Sequence, residues 1–211
     1  MTNLILIRHA ETDMAGRFCG HSDPELNQHG RSQLAGMLNA MSEQAIRRVY
    51  ASDLRRAWQT AEAVAKHFGA ELYLRPGLRE IHFGLWEGLS WREIEGRDPA
   101  LARRWAQEYP NSTAPGGELF LHFVSRARRE ILFLQQEAAK LPIAVVTHAG
   151  FIRVALTSLF GMSELEAWDR VKEYGSIIAL DTNHIARTRI ENSGPLRSGV
   201  DFIHLPQGAR K

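Results

Sequence analysis

Four apolar residues run straight into an arginine, a histidine and a polar turn at Leu4-Ile5-Leu6-Ile7-Arg8-His9-Ala10-Glu11-Thr12. The apolar run has the length and composition of a buried strand. Open α/β sheets bind ligands at the carboxyl ends of their strands, so Arg8 and His9 arrive at a site-forming position. A second histidine ends a similar run at Ala144-Val145-Val146-Thr147-His148-Ala149-Gly150. Between them, Arg55 follows Ser52-Asp53, and Glu80 sits in Leu78-Arg79-Glu80-Ile81-His82-Phe83-Gly84. These groups share one use, the chemistry of a phosphate ester. Guanidinium forks recognise phosphate oxygens bidentately and stay charged. Neutral imidazole is a nucleophile, and a phosphorylated histidine can be discharged by water. A second imidazole can donate to the transferring group, and a carboxylic acid can protonate the departing alkoxide. Backbone amides of Ala149 and Gly150, opening a helix, would add anion-binding donors. Phosphoryl transfer rests mostly on positioning and charge stabilisation, which two arginines and two histidines can supply without a metal or other cofactor. The histidines lack metal-ligand pairing of the HExxH kind, and Cys19 has no second cysteine.

The elements that must position these groups alternate between strand and helix. Residues 2–8 read as the first strand, and Asn27 to Arg31 precede a helical period at Leu34, Leu38 and Met41. Val49-Tyr50-Ala51 reads as a strand. Ser52-Asp53 offers a helix cap ahead of a buried stripe at Ala57, Thr60, Ala61, Val64, Ala65 and Phe68, with Gly69 as the stop. Glu71 to Leu74 is a third strand, and Pro76-Gly77 a turn. From 78 to 118 the pattern is irregular and rich in tryptophan, which predicts short helices over the top edge of the sheet. Leu119 to Lys140 reads as a long amphipathic helix, Ile143 to Thr147 as a strand, and Gly150 to Phe160 as a helix. Ser176 to Asp181 and Ile185 to Ile190 read as final strands around Asn183-His184, with weak strand character at Val200 to Leu205. The alternation predicts an α/β fold with a mostly parallel sheet covered on both faces.

Composition bounds the function. The 211 residues, 44% hydrophobic and 24% charged, suit one α/β domain over residues 1–211 with a small cap or lid near 78–118. A net charge of +2 is only mildly basic. Arg47-Arg48, Arg55-Arg56, Arg103-Arg104 and Arg126 to Arg129 form local clusters, read for the most part as solvated helix faces. They make no continuous stripe with interleaved aromatics, so nucleic acid is not an expected partner. A single cysteine forbids an internal disulfide. With no export signal or bilayer-length apolar run, the expectation is a soluble, cytoplasmic protein without membrane contact. Its expected partner is a small phosphorylated metabolite, and a homodimer is compatible with the sequence.

The motifs together resemble the histidine phosphatase superfamily, in the branch that includes cofactor-dependent phosphoglycerate mutases. Arg8-His9-Ala10-Glu11-Thr12 is similar to its opening Arg-His-Gly-Glu-Thr, with alanine for glycine. Ser52 to Ala61 resembles the second motif, Leu78 to Gly88 the acid-bearing segment, and Val146 to Gly150 the closing motif. The resemblance implies a three-layer α/β/α sandwich. By it, His9 is the phosphorylated nucleophile, Arg8, Arg55 and His148 hold the phosphoryl oxygens, and Glu80 is the proton donor that later activates water. Substrate contacts are expected from Arg8, Glu11, Thr12, Cys19, Gly20, Arg55, His82, Ala149 and Gly150. His82 could equally pack under its loop, and Trp86 or Trp91 could touch an aromatic leaving group. Ala15 stands where the family often has asparagine, so one phosphate-side contact is expected to be missing or replaced. The chain is shorter than typical glycolytic mutases, which favours a phosphatase. Residues Gly16 to Asp23, Arg79 to Gly84 and Pro115 to Glu118 resemble the α-ribazole-phosphate phosphatases of cobalamin assembly. The alternatives are a phosphoglycerate mutase and a non-catalytic module that binds phosphorylated ligands.

Overall fold

The computed structural model describes residues 3–109 and 111–181. Five strands form one sheet: β1 (Leu4–Arg8), β2 (Arg48–Ala51), β3 (Glu71–Leu74), β4 (Ile143–Thr147) and β5 (Ile177–Leu180), in the order β3-β2-β4-β1-β5. The first four run parallel, and β5 joins β1 antiparallel at one edge. The mostly parallel sheet of the sequence reading is therefore present.

Strand side chains alternate between faces, and the apolar runs of β1 and β4 feed both faces at once. Ile5, Ile7, Val49, Ala51, Ala144 and Val146 pack with α1 (Gln28–Ala40) and α2 (Arg55–Phe68). Leu4, Leu6, Tyr50, Ile143 and Val145 pack on the other face with α5 (Phe120–Ala138), α6 (Ala149–Phe160) and α7 (Glu164–Val171). This is the expected three-layer sandwich. Across that second face, buried Glu137 of α5 accepts from Arg48 and the Tyr50 hydroxyl, which anchors α5 to β2. A third cluster lies outside the sandwich. Phe18, Trp86, Ile94, Ala102, Trp105 and Ala114 pack together around α3 (Trp91–Arg97) and α4 (Pro99–Glu108). This is the irregular tryptophan-rich region, and it does consist of short helices.

Two local expectations change. Ser52 and Asp53 do not cap α2, whose N-cap is Leu54 without a side-chain bond. Both are engaged elsewhere: Asp53 takes a two-pronged bond from Arg79, and Ser52 meets His148. The first-turn amide of Arg55 is satisfied instead by Asp23 at 2.6 Å. Helix α7 was not anticipated, although Ser163 and Glu166 form a capping box, a recognisable start signal. Gly69 does end α2, in the left-handed conformation at φ 63° that glycine adopts without steric cost. The strand at 185–190, the turn at Asn183-His184 and the strand character at 200–205 lie outside the described residues. No helix among the described residues is long and apolar enough to cross a membrane.

Candidate active site

Register places the two histidines side by side. β1 and β4 are adjacent and parallel, with Arg8 paired to Thr147, so the next residue on each strand is a histidine leaving the same sheet end. The His9 amide donates to the Thr147 carbonyl at 3.0 Å. The two rings stand 5.1 Å apart between centroids, edge to face. Both are buried, His9 at 6% exposure and His148 at 1%.

The hydrogen bonds assign the His9 tautomer. His9 Nδ1 lies 2.7 Å from the Ala10 carbonyl, which can only accept, so Nδ1 carries the proton. Nε2 keeps its lone pair and faces the Arg56 Nε–H at 3.2 Å. Ser52 Oγ is 2.9 Å from His148 Nε2, and a hydroxyl can donate or accept there. His148 Nδ1 is buried with no hydrogen-bond partner among the described residues. Burial first, then the charges of Arg56 and Arg8, hold His9 far below the ordinary imidazole range. Burial, Arg56, His9 and Arg8 do the same to His148. Both rings are therefore neutral at neutral pH.

The arginine that reaches His9 is Arg56, not Arg55. Arg56 is wholly buried, and its fork donates to the carbonyls of Ser22, Cys19 and Gly20 at 2.6, 3.2 and 2.7 Å. The Arg55 side chain is 53% exposed and pairs with Asp23 and Glu25. Helical rotation explains the difference. Residues four apart share a face, and Arg56 lies one turn before buried Thr60, whose hydroxyl donates to the Arg56 carbonyl at 2.7 Å. Arg55 points about 100° away. The buried stripe already visible in the sequence contained the signal, since Arg56, Thr60 and Val64 continue it.

Arg8 and Glu80 complete the polar end. The Arg8 guanidinium donates to the Val171 carbonyl at 2.9 Å and lies 3.9 Å above the Tyr174 ring, while its buried Nε has no partner. Glu80 is 9% exposed and accepts from the amides of Ile81 and Gly150 at 3.0 and 2.9 Å. The Gly150 amide thus binds the carboxylate of Glu80, where the sequence reading had it bind substrate. A Cβ at Gly150 would lie 2.2 Å from Glu80 Oε1, so any side chain there would push the Glu80 carboxyl from its present position. The backbone of this segment is held by residues the sequence reading passed over. Arg126 donates to the carbonyls of Gly77, Arg79 and Glu80, and the ring of His21 reaches the Glu80 carbonyl at 3.1 Å. Arg126 is therefore not a solvated helix-face charge.

Arg8, His9, Thr12, Cys19, Glu80, Ala149 and Gly150 line one cavity of about 190 Å³. Arg56 and His148 touch or flank His9 from behind that surface. The cavity's other walls are Phe18, Phe83, Trp105, Tyr109, Phe120, Phe123 and Trp168, together with Arg17, Arg153 and Glu164. Trp105 and Trp168 take the place expected of Trp86 or Trp91. Tyr174, also on the wall, was missed because its stretch showed no periodicity.

Several expected contacts lie elsewhere. Glu11 accepts from the Asn27 side chain at 3.1 Å and ties the motif turn to the start of α1. His82 stacks near His21 at 4.8 Å, half exposed and off the cavity wall. Gly20 acts through its carbonyl, on Arg56. Its amide, with those of His21, Ser22 and Phe83, is gathered by the carboxylate of Glu87. Ala15 is exposed and does not line the cavity. Burial pushes the Cys19 thiol up to about 11, which removes it as a thiolate nucleophile at neutral pH. Among the described residues no group of three or more His, Cys, Asp or Glu is placed to hold a metal ion.

The neutral histidine pair has a consequence for stability. In the unfolded chain both imidazoles titrate near 6.5, whereas in the fold they stay unprotonated. Below that pH the unfolded state binds more protons, so stability falls as pH falls, by about 1.4 kcal/mol per pH unit for each proton. Urea midpoints are expected to drop from pH 7.5 to 5, and less steeply in His148→Asn. A midpoint indifferent to pH over that interval would contradict two buried neutral rings.

A parallel α/β sheet presenting two neutral imidazoles, a buried guanidinium fork and a carboxylate at one strand end defines a phosphoryl-transfer class of site. The chain belongs to the histidine phosphatase superfamily (branch 1), whose profile matches residues 4–191. It is 34% identical over 160 residues to a bifunctional protein of Mycobacterium tuberculosis, covering 74% of this chain but only 43% of that protein. It is 29% identical over 193 residues to the adenosylcobalamin/α-ribazole phosphatase of Escherichia coli, covering 90% of this chain and 95% of that one. The α-ribazole phosphatase structure from Shigella flexneri superposes with a TM-score of 0.77 at 28% identity, over 86% of this chain and 91% of that one.

Proposed function

We propose that this chain is a metal-independent phosphomonoesterase that works through a phosphohistidine at His9. Its substrate is a small phosphate ester, with α-ribazole 5′-phosphate as the named candidate because relatives carry that activity in their names. The observation that carries the reading is the His9 tautomer. The Ala10 carbonyl fixes the proton on Nδ1 and leaves the Nε2 lone pair among cationic donors, on a cavity shared with a carboxyl group.

In the first step Nε2 forms a bond to phosphorus while the ester P–O bond breaks. The protonated Glu80 carboxyl gives its proton to the departing alkoxide. In the second step water attacks phosphorus, Glu80 takes the water proton, and the P–N bond breaks to return neutral His9 and free phosphate. Arg8, Arg56 and the His148 ring offset the charge on the phosphoryl oxygens throughout. A phosphoryl group on Nε2 would displace the Arg56 Nε–H that now meets the lone pair at 3.2 Å and take that donor on its own oxygens, which is why Arg56 takes the role first given to Arg55.

The test is acid-labile, base-stable phosphorylation, located on the His9 peptide after rapid mixing with an aryl phosphate. Turnover should persist in EDTA. Loss of turnover with the chelator, restored by a divalent ion, together with no phosphopeptide, would overturn the reading. Conversion of 3-phosphoglycerate to 2-phosphoglycerate with trace bisphosphoglycerate, without free phosphate, would point to a mutase.

A further inference from the structure

The half of the cavity away from His9 has a chemistry of its own. Trp105 and Tyr109 come from the end of α4, Phe120 from the start of α5, and Trp168 from α7. Tyr109 stands 4.9 Å from Trp105 and 5.5 Å from Phe120 between centroids, so these rings form a continuous aromatic wall. Arg153 lies one helical turn beyond Gly150 on α6. It is bonded to Glu164 at 3.0 Å and lies 5.6 Å from the centre of the Trp168 ring. Both members of this ion pair are 19% exposed, and both line the cavity. Arg17, the other cation on the far wall, is bonded to Glu93 at 2.8 Å. Past Arg8 and His9, each arginine that lines the cavity among the described residues is thus ion-paired with a carboxylate.

A second anionic group on the substrate would lose its water here and meet arginines already paired to carboxylates, which is costly in a partly desolvated site. A flat apolar group would bury surface against the aromatic wall. We infer that this cavity selects phosphate monoesters whose alcohol part is uncharged and carries an aromatic ring, and that the Arg153–Glu164 pair excludes esters bearing a carboxylate. The inference rests on the phosphomonoesterase reading and names the substrate class within it. Arg153 and Glu164 act here as specificity-determining residues, since neither has a part in the phosphoryl step.

The test compares three alkyl phosphates with similar leaving alcohols: 2-phenylethyl phosphate, glycerol 3-phosphate and 3-phosphoglycerate. For the unsubstituted protein, kcat/KM should favour the phenylethyl ester over glycerol 3-phosphate by about tenfold or more, a usual reward for filling an apolar pocket. It should favour the phenylethyl ester over 3-phosphoglycerate by about a hundredfold, as an unpaired anion adds its desolvation cost. In Glu164→Gln the guanidinium loses its carboxylate partner. The ratio of 3-phosphoglycerate to phenylethyl phosphate turnover should then rise about tenfold. Trp168→Leu should lower the phenylethyl preference over glycerol 3-phosphate, and it provides a second reading should Glu164→Gln unfold. Preference for 3-phosphoglycerate by the unsubstituted protein overturns the inference, as does an unmoved ratio in a folded Glu164→Gln. Hydrolysis of all three esters with no ring preference overturns it while leaving the phosphatase reading intact. Hydrolysis of none overturns both.

Discussion

His9→Ala is expected to lower kcat/KM for an aryl phosphate by about 10⁴ to 10⁶-fold, the scale on which single nucleophiles matter in covalent catalysis. The loss should fall on kcat, because the variant has no atom to which the phosphoryl group can transfer. Binding of inorganic phosphate should survive better, since Arg8, Arg56 and His148 remain. The fold should survive too. The His9 ring makes two hydrogen bonds, to the Ala10 carbonyl and from Arg56 Nε, and its strand is held by β4 and β5 independently of the ring. The substitution also removes one of two buried groups that resist protonation, so the variant should lose less stability on acidification than the parent. Steady-state rates, a phosphate titration and urea midpoints at two pH values check these points together. A folded His9→Ala that keeps a tenth of the activity would show that the nucleophile lies elsewhere.

The catalytic ends of the strands were legible because they depend on local, one-dimensional signals. Apolar runs of strand length stop abruptly at Arg8-His9 and at Thr147-His148, and a buried parallel sheet has few other ways to end. The mutual approach of the rings comes from the strand order, in which β1 and β4 are neighbours, and membership of one sheet alone does not fix that order. Which of two adjacent arginines turns inward is set by a rotation of about 100° per residue, and the buried stripe carries that signal: Arg56 falls on the line of Thr60 and Val64, whereas the family resemblance points to Arg55. Glu87 and Arg126 were hidden for another reason. Both act on backbone groups distant in sequence, gathering the 20–22 turn and the 77–80 segment, and no periodicity announces such a role. Glu11 and His82 lie off the cavity wall because neighbours in a motif need not share a face once the chain turns.

Substituting the adjacent arginines separately should give opposite results, and the contrast is sharper than either variant alone. Arg56→Ala leaves three carbonyls of the 19–22 turn without their donor and removes the cation beside His9. Buried acceptors stripped of a partner cost about 1–3 kcal/mol each before relaxation, so a destabilisation of about 3 kcal/mol or more is expected. Activity should fall by about 10³-fold, comparable to losing an oxyanion donor. Arg56→Lys should recover little of either. A lysine presents one compact ammonium and cannot reach the His9 ring and the backbone of residues 19–22 in one plane. Loss of the neighbouring positive charge should also let the His9 imidazole take up a proton at higher pH, moving the acidic edge of kcat/KM upward. That shift distinguishes an electrostatic role from simple collapse of the turn, which would lower the rate equally at every pH. Arg55→Ala, by contrast, removes exposed pairs with Asp23 and Glu25. It should cost no more than about 0.5 kcal/mol, as exposed ion pairs do. Its rate should stay within about threefold of the parent, as expected for surface substitutions away from a site. If instead Arg55→Ala were the crippled variant and a folded Arg56→Ala the active one, the positions of the two side chains around His9 would have to be exchanged, and the mechanism would lose the cation nearest its nucleophile.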